Sequence, residues 1–256
     1  MQKLDLCDLV TLTATDTPGI VLRCPDSGLP EDSSNIVWRA AEAFLGIWAG
    51  ERVGIDIVLE KRIPVAAGLG GGSSDAGAVL TGLNRLLGAG FSTSVLIDLA
   101  RPLGADVPFF VTDHSAVRAA GIGDQMSVVP SLTDCSVVLV NPGFSVSTRW
   151  VYEKYALTRA AKDSKLCDSR KKLDCVVSEV GVNDLEQVTL ALYPEIAALK
   201  QALLDLGASS VLMSGSGPTV FGVFPHEDGR VSASVRQAVC VFQQQNGVKV
   251  FVTQPV

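Results

Sequence analysis

The sequence predicts an α+β fold, because strand-like and helix-like segments follow one another without a regular repeat. Apolar and polar residues alternate at residues 4–12 and 53–59, which is typical of half-buried strands. Between them, Val37, Ala41 and Phe44 recur at helical spacing, which is typical of a helix with one buried face. The 256 residues, 47% of them hydrophobic, can bury the core of one large domain or of two small ones.

The first strand is predicted to form a hairpin with the segment that follows it. Residues 4–12 place Leu6, Val10 and Leu12 on one face, which we expect to cover a core. Residues 19–24 follow a Pro-Gly turn and would be the partner strand.

Three helices are predicted in the first half of the chain. Polar residues at 31–35 place the start of the first, and an Asn at such a position, here Asn35, usually serves as a cap. A glycine-rich loop after residues 53–59 leads into the second, and Ser92 caps a third that ends near residue 100. The apolar positions of the second helix are Ala76, Leu80, Leu83 and Leu87.

The second half combines short strands with a helical region. Pro194 interrupts helical spacing at residues 183–206, and residues 156–178 predict a surface excursion. The predicted strands lie at residues 136–140, 210–213 and 220–224.

Composition excludes several classes of function. The net charge is −6, whereas a general nucleic-acid binder would carry a basic surface, so no nucleic-acid partner is predicted. No run approaches the roughly 18 apolar residues of a membrane span, and the first residues lack the pattern of a signal peptide. The sequence therefore predicts a cytoplasmic protein without a membrane partner.

The six cysteines do not indicate a metal centre. None forms a CxxC pair, and the chain has only two histidines, His114 and His226, so a zinc cluster is poorly supported. Free thiols in a reducing compartment are the expectation.

The glycine-rich loop is a candidate phosphate site. Gly68, Gly70, Gly71 and Gly72 allow positive φ and close approach of a ligand, and a helix opens at Ser73-Ser74. The unpaired N–H groups of a helix N-terminus suit a phosphate. The loop contains neither GK[ST] nor GxGxxG, which weakens the Walker, dinucleotide-binding and protein-kinase interpretations. A flexible surface loop is the alternative.

A single acid, Asp106, stands in the apolar stretch LGADVPF. Burying a carboxylate is costly unless it is paired or hydrogen-bonded, so such a residue is either structurally satisfied or functional. Spacing alone leaves both interpretations open.

Residues 64–74, PVAAGLGGGSS, resemble the nucleotide loop of the GHMP kinases, and the glycine run before the serines resembles the diphosphocytidyl-methylerythritol kinases among them. The resemblance implies that this loop wraps the phosphates of ATP, with Ser73 and Ser74 contacting phosphate or Mg²⁺ and Ser74 as the metal contact. It places Asn35 and Lys61 near the adenosine, although a helix cap and a solvated charge are the alternatives. The implied ATP-binding residues are Pro64, Val65, Ala66, Ala67, Gly68, Leu69, Gly70, Gly71, Gly72, Ser73, Ser74, Asn35 and Lys61.

Three further segments resemble GHMP kinase motifs. GADVPFF is similar to the catalytic segment, which implies that Asp106 accepts the proton of the substrate hydroxyl or orients that hydroxyl. SGSGPT at 214–219 is similar to a glycine motif that packs close to the phosphate loop, although an ordinary hairpin turn is the alternative. The segment NPGFSVST at 141–148 implies substrate contacts by Thr148 and Tyr152, with Tyr152 against the cytosine or in the core.

The resemblance also implies an architecture and a reaction. The fold would be that of the GHMP kinases, with residues 1–138 similar to ribosomal protein S5 domain 2, residues 139–256 ferredoxin-like, and the active site in the cleft between them. The implied function is ATP- and Mg²⁺-dependent phosphorylation of the 2-hydroxyl of 4-diphosphocytidyl-2-C-methyl-D-erythritol in non-mevalonate isoprenoid synthesis, by a monomer or homodimer. Alternatives are a homoserine or mevalonate kinase, a nucleotide-binding module without catalysis, or a domain whose glycine loops are only turns.

One motif of the resembled family is not found in this sequence. GHMP kinases usually begin with a strand carrying an Ala-Lys-Ile-Asn-like motif, followed by a Gly-Tyr-His turn, and Lys3 does not stand in such a motif. We expect the natural start to lie upstream of Met1. Loss of the strand and its lysine is the alternative.

Overall fold

The computed structural model describes residues 1–121, 123, 125–162 and 181–256. Its internal contacts divide the chain into two units. The first unit comprises residues 1–65 and 70–131, and the second comprises residues 66–69 and 132–256. Four residues of the glycine-rich loop therefore belong with the second half of the chain.

The first unit is built around a three-stranded sheet. Its strands are β1 (Leu9–Thr15), β2 (Gly19–Arg23) and β3 (Gly54–Glu60), in the order β1-β3-β2. Strand β3 pairs antiparallel with β1 and parallel with β2. The first strand begins at Leu9 rather than at residue 4, so Leu6 lies before it. Val10 and Leu12 pack against the core, as predicted.

The predicted hairpin between the first two strands is wrong, because β3 lies between them. Thr15 and Gly19 both pair with Gly54, so the three-residue connection steps over the start of β3. A Cβ on Gly54 would lie 1.9 Å from the carbonyl oxygen of Thr17, so only glycine leaves room for this crossing. Burial explains why β3 takes the central position, because this apolar strand is paired along both edges there.

Four helices cover the core of the first unit. Helix α1 begins after Asn35 and α3 begins after Ser92, as predicted, but α2 begins at Gly71, two residues before Ser73, because Gly70 turns the chain in the left-handed conformation. The core contains Phe44, Ile57 and Leu80, all fully buried. The helices are α1 (Ile36–Ile47), α2 (Gly71–Leu86), α3 (Thr93–Ala100) and the short α4 (Val107–Phe110).

Two short antiparallel strands complete the first unit. They are β4 (Val117–Ala120) and β5 (Gln125–Val128), which the sequence did not predict. Most of their residues are exposed, so their sequences lack the alternation that a buried face imposes.

The second unit has the βαββαβ order of a ferredoxin-like fold, as predicted. Its antiparallel sheet has the order β7-β8-β6-β9, and β6 is buried along its whole length. The strands are β6 (Cys135–Asn141), β7 (Ser210–Met213), β8 (Val220–Pro225) and β9 (Lys249–Thr253), and the helices are α5 (Thr148–Lys162), α6 (Glu186–Leu192), α7 (Pro194–Asp205) and α8 (Ala233–Gln243).

Pro194 breaks the predicted helical region into α6 and α7 and stands at the first position of α7, where its missing N–H costs nothing. The predicted surface excursion is helical as far as Lys162, and residues 163–178 lie outside the described residues. Within the described residues, no helix combines the length and apolar character that crossing a bilayer requires.

The cysteines that can be described are free thiols, as predicted. Cys7 and Cys240 are exposed, whereas Cys24 and Cys135 are buried. Cys167 and Cys175 lie outside the described residues.

Candidate active site

The first turn of α2 presents backbone donors. The first intrahelical bond runs from Ser74 N to Gly70 O at 2.9 Å, so the N–H groups of Gly71, Gly72 and Ser73 precede the helical ladder. A helix of 16 residues adds a partial positive charge at this end. The arrangement suits an anion such as a phosphate.

Gly68 lies where two loops of the second unit meet. Its φ is +76°, and a Cβ at this position would lie 2.3 Å from the carbonyl oxygen of Ser214 and 2.8 Å from that of Gly217. The backbone therefore tolerates no side chain here.

The second glycine loop, residues 214–219, joins β7 to β8 and holds the phosphate loop. Ser214 Oγ donates to Gly68 O at 2.9 Å, and Thr219 N donates to Ala67 O at 3.4 Å. The close packing that the resemblance implied is confirmed, and these bonds fix the backbone of residues 67 and 68.

Asn183 and Glu186 secure the second glycine loop from its other side. Asn183 Nδ2 donates to the carbonyl oxygens of Met213 and Gly215, and Glu186 Oε1 accepts from Met213 N at 2.6 Å. Lys200 neutralises Glu186 at 2.6 Å. These residues therefore have a structural role.

Lys61 lies between two buried carboxylates of the first unit. Its Nζ is 2.5 Å from Asp8 Oδ2 and 2.7 Å from Asp75 Oδ2, and the three side chains are 8%, 2% and 4% exposed. Asp8 Oδ1 accepts from the N–H groups of Arg62 and Ile63. Lys61 is thus not a solvated surface charge, and its predicted contact with adenosine stays a prediction.

The three charges do not cancel, and the pKa values reflect this. Burial alone would raise the pKa of Asp8, but the hydrogen bonds from Lys61 and from two backbone N–H groups hold it below its usual value. Burial raises the pKa of Asp75 to about 7, against the hydrogen bond and charge of Lys61. Because the folded-state pKa of Asp75 is raised, the stability that its neutral form contributes is lost as the pH rises through about 7.

Asp106 precedes the one-turn helix α4. The side chain is half-buried, and no described residue donates a hydrogen bond to its carboxylate. Burial raises the pKa of this carboxyl above its ordinary value of 3.8. The charge of the Met1 ammonium group opposes this rise. A raised pKa at a half-buried carboxylate favours the functional interpretation over a structural one.

Helix α4, which begins directly after Asp106, packs closely on α2. A Cβ on Gly77 would lie 2.6 Å from Phe110 Cβ, and a Cβ on Gly70 would lie 3.4 Å from the edge of the Phe110 ring. Phe110 thus contacts the N-cap of α2, and Asp106 stands four residues before Phe110, about 6 Å from it along the axis of α4 at 1.5 Å per residue. The helix that follows the predicted acid therefore contacts the predicted phosphate loop at Gly70.

Lys3 contacts the other end of α4. Its Nζ donates to Thr112 O at 2.6 Å and lies 4.9 Å from the centroid of the Phe109 ring. The ammonium group therefore lies at the end of α4 opposite to Asp106, in agreement with the absence of a catalytic assignment for Lys3.

Asn35 forms the predicted cap of α1. Its Oδ1 accepts from Val37 N at 2.9 Å, and its Nδ2 donates to Pro30 O at 2.8 Å and to Cys24 Sγ at 3.7 Å. The residue is 6% exposed. The geometry shows that Asn35 serves as a helix cap, and its contact with adenosine stays a prediction.

Thr148 and Tyr152 share one face of α5, because they are four residues apart. Thr148 Oγ1 lies 2.9 Å from the Oγ of Ser216 in the second glycine loop. Tyr152 is 38% exposed, so it is not a core aromatic residue. A base could therefore reach its ring.

No group of three or more His, Cys, Asp or Glu side chains among the described residues could hold a metal ion. Mg²⁺ bound with a nucleotide needs fewer protein ligands, because phosphate oxygens and waters supply most of its coordination. Ser73 and Ser74, half-buried in the first turn of α2, fit that limited requirement.

Comparison with known proteins identifies the family. Residues 35–114 match the GHMP kinases N terminal domain, and residues 175–240 match the GHMP kinases C terminal domain. A 4-diphosphocytidyl-2-C-methyl-D-erythritol kinase of Geobacter sp. (strain M21) is 47% identical over 234 residues, 91% of this chain and 82% of that protein. The chain belongs to the GHMP kinase family.

Other GHMP kinases resemble the chain along almost its whole length. The 4-diphosphocytidyl-2-C-methyl-D-erythritol kinase of Syntrophotalea carbinolica is 46% identical over 256 residues, 100% of this chain and 89% of that protein. A crystal structure of 4-(cytidine 5'-diphospho)-2C-methyl-D-erythritol kinase is similar to this chain with a TM-score of 0.74 and 30% sequence identity. The match covers 98% of this chain and 87% of the chain in that structure. The mevalonate kinase of Methanococcus jannaschii, at 10% identity and a TM-score of 0.68, shares the fold.

Three residues around the phosphate loop and helix α2 were not identified from the sequence. Asp75 follows Ser74 directly and stands on the apolar face of α2, a misplaced charge that could have drawn attention. Asp8 carries no such signal, because its partners are more than 50 residues away. Gly77 stands within a helix, where glycine lowers stability unless close packing requires it, and only the position of Phe110 shows that packing.

Proposed function

We propose that this GHMP kinase transfers the γ-phosphate of ATP to the 2-hydroxyl of 4-diphosphocytidyl-2-C-methyl-D-erythritol, a step of non-mevalonate isoprenoid synthesis. Relatives at 46–47% identity bear the name of that kinase. The observation that carries the proposal is the start of α2, where backbone donors follow a glycine-rich loop and where α4, the helix that begins after Asp106, packs against Gly70.

In the proposed reaction, the oxygen of the acceptor hydroxyl forms a bond to the γ-phosphorus. The bond from that phosphorus to the bridging oxygen of the β-phosphate breaks, and ADP leaves with the electron pair. Asp106 accepts the hydroxyl proton or orients the hydroxyl for attack. Positioning of the two substrates and stabilisation of charge on the phosphoryl oxygens supply most of the barrier reduction.

The ATP phosphates would lie along residues 64–74. The N–H groups of Gly71, Gly72 and Ser73 would face phosphate oxygens, while Gly68 and Gly70 provide the backbone conformation that leaves room for them. Ser74 would contact Mg²⁺, which neutralises charge on the transferred phosphoryl group when bound.

The acceptor would lie against α5. Tyr152 offers an exposed aromatic face for the cytosine, and Thr148, on the same face, is held by Ser216. This contact links the proposed base platform to the loop that fixes Gly68.

An assay of ADP release tests the proposal. We expect ADP formation that depends on 4-diphosphocytidyl-2-C-methyl-D-erythritol, with homoserine and mevalonate as competing acceptors. The assay should include both this chain and a form extended upstream of Met1. Transfer to homoserine or mevalonate instead, or ATP binding without transfer by either form, would reject the proposed function.

We expect kcat/KM to fall as the pH is lowered, and to do so at a higher pH than the protonation of an ordinary aspartate would cause. Because burial raises the pKa of Asp106, its carboxylate becomes protonated as the pH falls through that raised value, and the proposed base is lost. The measurement is kcat/KM for the acceptor against pH at saturating ATP. Asp75→Asn serves as a control, because Asp75, whose pKa is also raised, can no longer titrate in this variant. The fall of kcat/KM at low pH that Asp106 causes should remain. An unchanged rate down to pH 3.8 would contradict the prediction.

A further inference from the structure

The two ends of the phosphate loop meet at one buried ammonium group. Lys61 stands three residues before Pro64, where the loop begins, and Asp75 follows Ser74, where it ends. Lys61 Nζ bonds Asp75 Oδ2 at 2.7 Å, so the side chains close the base of the loop. A Cβ on Gly71 would lie only 3.3 Å from the same Nζ, which places the ammonium group beside the first residue of α2.

A third residue fixes the entry of the loop to the sheet. Asp8, just before β1, bonds Lys61 Nζ through one carboxylate oxygen. Its other oxygen accepts from Arg62 N at 2.6 Å and Ile63 N at 2.9 Å. The chain that enters the loop is therefore held at three successive residues.

We propose that Asp8, Lys61 and Asp75 form a clamp that positions the phosphate-binding N–H groups of α2 for ATP. The inference rests on the proposed function and assigns these residues a positioning role. The clamp acts through the backbone of residues 61–63 and through the first turns of α2. It complements the second glycine loop, which holds residues 67 and 68 at the middle of the phosphate loop.

Near-complete burial makes the bonds of the clamp persistent. A surface ion pair exchanges with water and contributes little, whereas these side chains are at most 8% exposed. Removing Lys61 would leave two carboxylates facing each other without compensation, so that variant is unsuitable as a test because it would unfold. Removing Asp75 leaves the balanced pair of Lys61 and Asp8, which the core can retain.

The test compares Asp75→Ala with Asp75→Asn. The alanine variant loses the bond between Lys61 and α2, and we expect the Kd for ATP, measured by titration calorimetry, to rise about tenfold to a hundredfold. Asparagine keeps an oxygen that can accept from Lys61 Nζ, so it should recover most of the affinity. Hydrogen exchange of residues 74–78, the first bonded N–H groups of α2, should be faster in the alanine variant and near the wild-type rate in the asparagine variant.

Val79→Ala is the matched control for stability. Val79 is fully buried on the same helix, one turn beyond Asp75, and its truncation destabilises the unit without touching Lys61. We expect its Kd for ATP to equal that of the wild type at a temperature where all variants are folded. A Kd for Asp75→Ala equal to the wild-type value, or an equal loss in Val79→Ala, would overturn the clamp.

Failure of the clamp and failure of the proposed function give different results. If the wild type releases no ADP with any acceptor, the proposed function fails, while hydrogen exchange of residues 74–78 in the two Asp75 variants still reports on the clamp. If the wild type is active and Asp75→Ala exchanges and binds ATP as the wild type does, only the clamp fails.

Discussion

Replacing Asp106 by asparagine is expected to lower kcat by about 10²- to 10⁴-fold, the usual contribution of a general base. Asparagine has nearly the same shape, but its amide cannot accept the hydroxyl proton. The Kd for ATP should not change, because the proposed phosphate contacts come from the backbone of α2. Steady-state rates of ADP release and titration calorimetry with ATP measure the two quantities.

Asp98→Asn is the matched control for this substitution. Asp98 lies on α3 of the same unit, its side chain is 69% exposed, and it pairs with Arg101 at the surface. The same chemical change should leave kcat and the Kd for ATP unaltered there. Wild-type turnover in Asp106→Asn would remove Asp106 from the mechanism.

Replacing Gly68 by alanine is expected to raise the Kd for ATP by about a hundredfold or more, because misplacement of binding groups by about 1 Å has effects of that size. The new Cβ would lie 2.3 Å from Ser214 O, so the backbones of both glycine loops must move apart. The hydrogen bond from Ser214 Oγ to Gly68 O would be lost in the process. Calorimetric titration with ATP and thermal unfolding measure the affinity and the stability.

Gly88→Ala separates the steric effect from the cost of a positive φ. Gly88 has φ +57°, similar to the +76° of Gly68, but no atom lies within 4 Å of a Cβ at that position. We expect Gly88→Ala to cost about 1 kcal/mol of stability and to bind ATP with wild-type affinity. An equal Kd in both variants would contradict a role of the loop contact in ATP binding.

Local features of the fold could be predicted because their causes are local. Asn35 caps α1 through a bond to a residue two positions away, and α3 begins after Ser92. Pro194 divides α6 from α7 because it lacks an N–H group. The glycine run and the segment around Asp106 were recognisable as motifs, which led to the family before any tertiary contact was known.

Pairing between distant segments could not be predicted in the same way. Alternation of apolar residues reports that a strand has a buried face, and it does not report which strand lies beside it. The predicted hairpin therefore failed at Gly54, where the connection between β1 and β2 crosses the start of β3. Strands β4 and β5 lacked even the alternation, because they are largely exposed.

The sequence by itself determined α1, α2, α3, the helical region of α6 and α7, most strands and the family, because periodicity, caps and motifs act over a few residues. It did not predict α4, α5 or α8. Only the tertiary structure decided that Lys61 lies between Asp8 and Asp75, and that Gly77 admits Phe110 so that α4 packs against α2. These contacts depend on close packing of segments far apart in the chain. Distances of a few ångströms between such segments follow from how side chains fill the core, which no local pattern encodes.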